Sequence, residues 1–276
     1  MFGRLGRVIG RPALGWEDTN DMSLTDQTIS RIRQLVQSGR FPAGAKLPPE
    51  LELAAELGVS RGPVREAVKA LAVAGVLDVR RGDGTYVTSL APGPLLAGLG
   101  RAVEMMGGST LLELMEIRRL LEPAATALAA TRITEDQLAA LRQHLDAMRA
   151  AADDVEQLIA HDAAFHRSVS LATGNEALTA ILEGISSRTL RARAWRAMAD
   201  RGAVHLTLDQ HAAVYAALAH RDPALATATA LVHVDTSERW LRAHLADGDV
   251  PADVPAGRTG RTSARARRPS SAAVRT

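Results

Sequence analysis

Four residues in the second half of the chain could together hold a metal ion. Asp162 and His166 lie four positions apart in the stretch HDAAFHRSV, so a helix would place both side chains on one face. His211 and His233 flank the turn segment RDP, and Asp222 at its centre lies midway between them. Residues equally distant from a hairpin turn lie at the same level, so these two histidines can converge if both face inward. Three imidazoles and one carboxylate suit Zn²⁺, Ni²⁺ or Mn²⁺.

The neighbours of the two later histidines favour an inward orientation. Val214 follows His211 by three positions, and Ala230 precedes His233 by three, so each histidine continues an apolar helical face. Buried histidines also occur as ordinary hydrogen-bonded core residues, and this is the alternative interpretation of the set. The remaining histidines of the chain lack the spacing of these four.

The composition favours a mostly α-helical protein with room for two domains. The 276 residues are 46% hydrophobic and only 3% aromatic, which favours helices over a β-sandwich. Because the sequence contains no cysteine, disulfides and thiolate metal sites are excluded. Neither a signal peptide nor an apolar run of about 18 residues is present. We therefore expect a cytoplasmic protein without a membrane partner.

The pattern of residues 46–87 predicts a helix-turn-helix followed by a short β-hairpin. The turn signal GVS ends in Ser60, which is placed as the N-cap of the second helix. That helix carries Arg61 and Arg65 on the outward side of its N-terminal end. The hairpin turns at the glycine-rich, basic stretch RRGDG. A helix-turn-helix with such a wing is typical of DNA-reading proteins, in which the second helix enters the major groove.

Changes in composition along the chain predict five segments. After a Pro-Gly-Pro linker the chain shows helical patterns and no strand signal, which indicates an all-α bundle of about seven helices. The fold class is therefore mostly α, with an N-terminal winged helix-turn-helix, its small β-hairpin wing, and this C-terminal bundle. The basic N- and C-terminal segments of the chain are typical of disordered tails, which attract nucleic-acid phosphates without sequence specificity. The segments are a flexible basic tail at 1–22, the winged helix-turn-helix at 23–88, the linker at 89–94, the helical domain at 95–246 and a disordered basic tail at 247–276.

The DNA-reading segment carries a specific family resemblance. The stretches FPAGAKLPPELELAAELGVSRGPVREAVKALAVAGVL and RRGDGTYV are similar to the winged-helix domain of the GntR family of bacterial transcription regulators. This resemblance implies binding to a double-stranded DNA operator, as a homodimer on paired half-sites. Leu51 departs from the family pattern, which usually has a DNA-contacting arginine there. The residues expected to contact DNA are Ser60, Arg61, Gly62, Arg65, Arg81 and Gly82, with Arg61 and Arg65 reading bases.

The helical domain resembles the ligand-binding FCD domain of the FadR branch of this family. The resemblance lies in EIRRLLEPAATALAA, DAAFHRSVSLATGN, QHAAVYAAL and ATATALVHV. In metal-binding members an aspartate and three histidines hold the ion, and the matching residues are Asp162, His166, His211 and His233. The resemblance also implies that a small organic acid binds with its carboxylate at or beside the metal. An arginine on the first long helix commonly helps to bind the acid, and Arg118 is the matching position.

A second basic group lies in the stretch RTLRARAWRAM. Its arginines predict a solvated helix face. Alternatively, one of them lines the acid pocket, because arginine binds carboxylates bidentately. The four residues are Arg188, Arg191, Arg193 and Arg196.

The leading interpretation is a non-enzymatic DNA-binding transcription regulator. Its helical domain is expected to bind a divalent metal and a small carboxylate that modulates operator binding. Repression and activation are both compatible with this architecture. The alternatives are a winged-helix regulator whose bundle only dimerises, with structural histidines, and a metallohydrolase fused to a DNA-binding domain.

Overall fold

The structure is a computed structural model, and it describes residues 22–106 and 110–246. The chain divides into two compact units, with the division between Leu95 and Leu96. Apart from Met22, the two tails predicted at 1–22 and 247–276 lie outside the described residues.

The first unit is a winged helix-turn-helix, as predicted. Gly58 adopts a positive φ of 65° and ends the first helix of the motif, where a residue with a Cβ would be strained. The wing is a two-stranded antiparallel hairpin in which Leu77 lies opposite Val87. In chain order the elements are α1 (Leu24–Gln37), α2 (Glu50–Leu57), α3 (Arg61–Val73), β1 (Leu77–Arg80) and β2 (Gly84–Val87).

A separate apolar core holds this unit together. Ile32 of α1, Val64 and Leu71 of α3, and Leu77 of β1 are all buried in it. Their helical spacing on α3 leaves the opposite face of that helix, with its arginines, in solvent. The first unit therefore presents α3, the helix predicted to read DNA, on a scaffold with its own core.

The remaining described helices match the seven predicted after the wing. Helix α5 packs mainly against α10, α6 packs against α7 and α9, and α7 packs against α8. No helix in the described residues is long and apolar enough to cross a membrane. The seven are α4 (Pro92–Met105), α5 (Thr110–Arg132), α6 (Glu135–Ala150), α7 (Val155–Ala172), α8 (Glu176–Ala199), α9 (Arg201–Ala219) and α10 (Pro223–Ala246).

The turn between α9 and α10 is fixed by several polar contacts. Arg221 adopts a positive φ of 51° and donates hydrogen bonds to the Ile133 carbonyl at 2.5 Å and to the Glu135 carboxylate at 2.9 Å. The Asp222 carboxylate accepts two backbone N–H groups at the start of α10, each at 3.0 Å. Pro223 follows in the first helical position, where its missing N–H is harmless. This turn sets the register between the two helices.

Aromatic side chains cluster at one end of the bundle. The Trp195 ring lies 4.7 Å from the Trp240 ring, and His244 stacks on Trp240 with 3.9 Å between ring centroids. Trp195 is buried with Met115 and Leu241 in a small apolar cluster. These contacts tie α8 to α10 and to the start of α5.

Two local expectations differ from the structure. Ser60 occupies the N-cap position of α3, but its side chain makes no capping hydrogen bond. The predicted linker at 89–94 is helical in its last part, because α4 already begins at Pro92. Proline is well tolerated in a first helical turn, so Pro92 and Pro94 allow this early start.

The missing capping bond at Ser60 leads to a stability prediction. Ser60→Ala should change the free energy of unfolding by less than about 0.5 kcal/mol, because no hydrogen bond is lost. Thr134→Ala should cost about 1 kcal/mol, because Thr134 forms a complete capping box with Gln137 at the start of α6. Chemical denaturation of both variants measures the difference. A cost for Ser60→Ala equal to that for Thr134→Ala would contradict it.

Candidate functional site

Three histidine side chains from three different helices meet inside the bundle. The Nε2 atom of His166, on α7, lies 3.3 Å from that of His211 on α9 and 3.3 Å from that of His233 on α10. The three ligand nitrogens all lie within 4.8 Å of one another. Tetrahedral bonds of about 2.0–2.1 Å hold two ligand nitrogens about 3.3–3.4 Å apart, so this spacing suits one metal ion.

The other ring nitrogens of two of these histidines have hydrogen-bond partners. His166 Nδ1 lies 3.3 Å from a carboxylate oxygen of Glu122, and His233 Nδ1 lies 3.2 Å from the amide oxygen of Gln210. An oxygen acceptor at Nδ1 favours the tautomer in which Nδ1 carries the proton. Nε2 then has the free electron pair that a metal needs. His211 Nδ1 is buried without a partner among the described residues.

Asp162 lies beside the histidines, as its spacing from His166 predicts. Its Oδ1 is 3.5 Å from His211 Nε2 and 3.8 Å from His166 Nε2. Its Oδ2 accepts a hydrogen bond from the guanidinium of Arg193 on α8. The carboxylate therefore offers one oxygen to the histidine cluster and the other to an arginine.

Burial keeps two of the histidines neutral. His211 and His233 are 0% and 2% exposed. Burial lowers the pKa of His211 to about 3, and it lowers the pKa of His233 well below its ordinary value. Neutral imidazoles are the form that binds a metal.

The two carboxylates at the site are held ionised by arginines. Burial opposes ionisation of Asp162, but Arg193 beside it brings the pKa of its carboxyl below the ordinary value. Burial likewise opposes ionisation of Glu122, and Arg118 with His166 holds the pKa of that carboxyl well below its usual range. Both groups are therefore negative at neutral pH.

A cavity of about 230 Å³ opens at the histidine cluster. Its walls are mostly apolar, with Phe165, Val169 and Leu190 among them, and all three histidines line it. Its polar lining includes Arg167 together with serine hydroxyls. Such a concave, largely apolar space with a few converging polar groups is typical of a small-ligand site.

Arg118, expected to help bind an acid, is fully buried next to this cavity wall. Its Nε donates to Glu122 at 2.5 Å, and Glu122 rather than Arg118 lines the cavity. Arg118 therefore acts on the histidine cluster through Glu122 in this structure. The adjacent Arg119 instead pairs with Glu238 at 3.1 Å.

The basic group on α8 is split between two environments. Arg188 donates to the carbonyl oxygens of Val103 and Met106 at the end of α4. Arg193 and Arg196 are buried in the bundle interior, so the solvated-face interpretation is wrong for these two. Among the described residues, Arg196 donates one hydrogen bond, to the Ser237 hydroxyl at 2.9 Å.

Sequence patterns did not identify Glu122 or Gln210 as parts of the site, and they named Arg193 only as one of four arginines that could line an acid pocket. Gln210 precedes His211 directly, so its position was the one available signal. Glu122 and Arg193 approach from α5 and α8, far along the chain from the histidines they serve. Local spacing carries no information about such contacts.

The DNA-contact residues predicted in the first unit are all at its surface. Arg61 and Gly62 lie in the first turn of α3, and Arg65 follows one turn later with its side chain 62% exposed. Arg81 and Gly82 lie in the exposed turn between β1 and β2. The departing residue, Leu51, is 63% exposed at the start of α2.

The wing is stiffened by contacts around one tyrosine. The Arg80 guanidinium lies over the Tyr86 ring, 4.1 Å from its centroid, and also pairs with Asp78 at 2.9 Å. The Tyr86 hydroxyl donates to Asp83 at 2.9 Å, and Lys46 pairs with the same carboxylate at 3.4 Å. Arg80 is thus engaged within the hairpin, whereas Arg81 extends from its turn.

Comparisons with known proteins agree with this architecture. Residues 24–87 match the family of bacterial regulatory proteins called the gntR family, and residues 113–236 match the FCD domain family. The chain is 30% identical over 212 residues to the HTH-type transcriptional regulator LutR of Bacillus subtilis, covering 75% of this chain and 96% of LutR. It is 29% identical over 226 residues to the galactonate operon transcriptional repressor of Escherichia coli, covering 80% of this chain and 98% of that repressor.

A solved structure shares the fold over its whole length. The structure of Streptococcus agalactiae GntR superposes with a TM-score of 0.60 at 30% identity, covering 79% of this chain and all of that one. The two family matches agree with the observed winged helix-turn-helix and with the helical bundle that follows it. The chain therefore belongs to the GntR family of bacterial transcription regulators, with an FCD domain after its DNA-binding domain.

Proposed function

We propose that this transcription regulator senses a small organic acid through a divalent metal in its FCD domain. The ion is Zn²⁺, Ni²⁺ or Mn²⁺, held by Asp162, His166, His211 and His233. The acid binds in the adjacent cavity and changes operator affinity of a homodimer in the cytoplasm. The observation that carries the proposal is the convergence of three Nε2 atoms at the wall of a cavity of about 230 Å³.

The groups around the histidines support metal binding over a purely structural role. Glu122 and Gln210 occupy the Nδ1 sides of His166 and His233, so the Nε2 atoms face each other, with Asp162 Oδ1 beside those of His211 and His166. Three buried imidazole nitrogens that face one another gain little from their mutual contacts alone. When bound, a divalent ion supplies a positive charge to which a carboxylate can attach.

The charges around the cluster support an anionic ligand. Asp162 pairs with Arg193, and Glu122 pairs with Arg118, so these four buried or nearly buried groups cancel. A divalent cation at the histidines would therefore leave two positive charges uncompensated in a poorly hydrated interior. An acid with one or two carboxylates restores neutrality there.

The size of the cavity supports a short acid. A cavity of about 150 Å³ takes up benzene, which has six non-hydrogen atoms, so about 230 Å³ suits an acid of roughly nine such atoms. One relative is named for the operon of galactonate, a hydroxylated acid. Short hydroxy acids and dicarboxylates are therefore the first candidates, followed by sugar acids that extend towards solvent.

The exposed face of α3 supports DNA reading by the first unit. Arg61 and Arg65 are exposed on α3 and can reach guanine, although Arg65 Nε lies 3.8 Å from the Glu66 carboxylate, and Arg81 is exposed in the turn of the wing. A Cβ added to Gly62 would meet nothing within 4 Å, so no contact inside the protein requires glycine there. Glycine in a first turn instead allows close approach of a DNA backbone.

Arg65 provides the test of DNA reading. Arg65→Ala should weaken binding to the operator by about 5–150-fold, because a bidentate arginine–guanine contact is worth about 1–3 kcal/mol, while binding to unrelated DNA changes little. Fluorescence anisotropy with operator and scrambled duplexes measures both affinities. Arg40→Ala is the control, since Arg40 is equally exposed but lies outside α3 and the wing. Retention of operator preference in Arg65→Ala would show that α3 is misassigned.

Metal binding is tested by removing one imidazole. His211→Ala should weaken Zn²⁺ or Ni²⁺ binding by about 100-fold or more, because loss of a ligand exceeds the 10–100-fold cost of losing a supporting group. Competition with a chromophoric chelator on metal-stripped protein gives the affinities. His205→Ala is the matched control, since His205 is an exposed histidine on the same helix. If wild-type protein binds no metal, or both variants bind it equally, the histidines are structural and the bundle serves dimerisation.

Acid sensing is tested through DNA binding. A screen of short hydroxy acids, dicarboxylates and sugar acids should find one that changes operator affinity by about 5–150-fold, the usual size of allosteric coupling. Gel shifts with and without that acid, on metal-loaded protein, measure the change. His211→Ala should lose the response and His205→Ala should keep it. Equal acid sensitivity in both variants would show that acid sensing does not require the metal.

A further inference from the structure

Arg196 is a buried cation without a paired carboxylate in the described part of the chain. The residue is 5% exposed, and its one described hydrogen bond goes to the neutral hydroxyl of Ser237 at 2.9 Å. Its Nε has no hydrogen-bond partner among the described residues. Asp200 and Asp162 attract the Arg196 guanidinium electrostatically, but both lie farther than the 4.0 Å that defines an ion pair. Buried charges in proteins are normally paired, so this arrangement requires a physical explanation.

A second arginine on the same helix adds to the imbalance. Arg193 is 8% exposed and pairs with Asp162, and its Nε also lacks a partner among the described residues. These two guanidiniums and the one buried carboxylate leave one positive charge in the interior, because Asp200, the other carboxylate that acts on Arg196, is exposed at the surface. Burial lowers the pKa of Arg196, but an arginine remains protonated at neutral pH. The local charge therefore has to be balanced by something other than these side chains.

A small cavity lies against both arginines. Its volume is about 30 Å³, and Arg193, Arg196, Ser237 and Thr207 line it with Asp162 and His233. One water needs about 10–15 Å³ of such space, and benzene needs about 150 Å³. The cavity therefore takes one or two water-sized particles, and it is too small for the acid that suits the larger cavity.

We propose that this small cavity binds one monovalent anion of halide size, chloride in the cell. Both guanidiniums and the hydroxyls of Ser237 and Thr207 are donors suited to such an ion. A single negative charge brings the sum over Arg193, Asp162 and Arg196 to zero. The small cavity is separate from the larger one but adjoins the candidate metal site, since Asp162 and His233 line it and His233 also lines the larger cavity. The positive charge that the anion balances is present without metal or acid.

Crystals of the full-length protein grown or soaked in bromide test the proposal directly. Bromide scatters anomalously, so a bound ion gives a peak between Arg193 and Arg196 in metal-free and metal-loaded crystals alike. The peak should disappear in Arg196→Met and persist in Arg191→Met, which removes a different arginine from the same helix. Water density without an anomalous peak in wild-type crystals would overturn the proposal.

Thermal unfolding gives a second measurement in solution. Bromide, balanced with sulfate at constant ionic strength, should raise the melting temperature of the wild type by about 2–4 °C in a saturable way. Arg196→Met should match or exceed the wild type in halide-free buffer, because it removes an unpaired buried charge, and should not respond to bromide. Arg196→Lys keeps the charge and should keep part of the response. An equal bromide response in Arg196→Met and the wild type would contradict an anion at this site.

Discussion

The register between α9 and α10 is the constraint on which the candidate metal site depends. Arg221, Asp222 and Pro223 hold the turn through contacts with the end of α5, the start of α6 and the first turn of α10. His211 and His233 meet because each lies the same distance from that turn. Inserting or deleting one residue there would rotate one histidine about 100° around its helix and shift it by about 1.5 Å. The other groups at the site can contact both histidines only while this register is kept.

A buried site of this kind also has to satisfy its own charges. Asp162 faces the histidines with one oxygen and Arg193 with the other, while Glu122 joins Arg118 to His166. These two ion pairs let carboxylates remain ionised in the interior, where burial alone would favour their neutral forms. Breaking either pair would leave a charge without compensation beside the histidines. The site is therefore better regarded as a connected polar network than as four independent ligands.

The parts of the fold and site that local spacing determines could be predicted from the sequence. The order of helices, the wing, and the shared level of His211 and His233 follow from helical periodicity and turn residues. Glu122 could not be found in this way, and neither could the pairing of Arg193 with Asp162, because these contacts depend on how α5 and α8 pack against α7. Ser60 is the N-cap residue that the sequence predicts, but its side chain makes no capping hydrogen bond, since that bond depends on a side-chain rotamer that position alone does not fix. Arg196 was expected in a solvated or acid-binding group, and only packing reveals that its charge is enclosed.

The tryptophans give the bundle an intrinsic optical signal. The chain has three tryptophans: Trp195 on α8 and Trp240 on α10 belong to the bundle, and Trp16 lies outside the described residues. Trp195 lies between Arg193 and Arg196 in the sequence, and its ring contacts that of Trp240 on α10. Indole emission is sensitive to nearby charge, and these two rings lie on the helices that carry the buried arginines and His233. Fluorescence can therefore follow events inside the FCD domain without a label, with Trp16 as the one further indole of the chain.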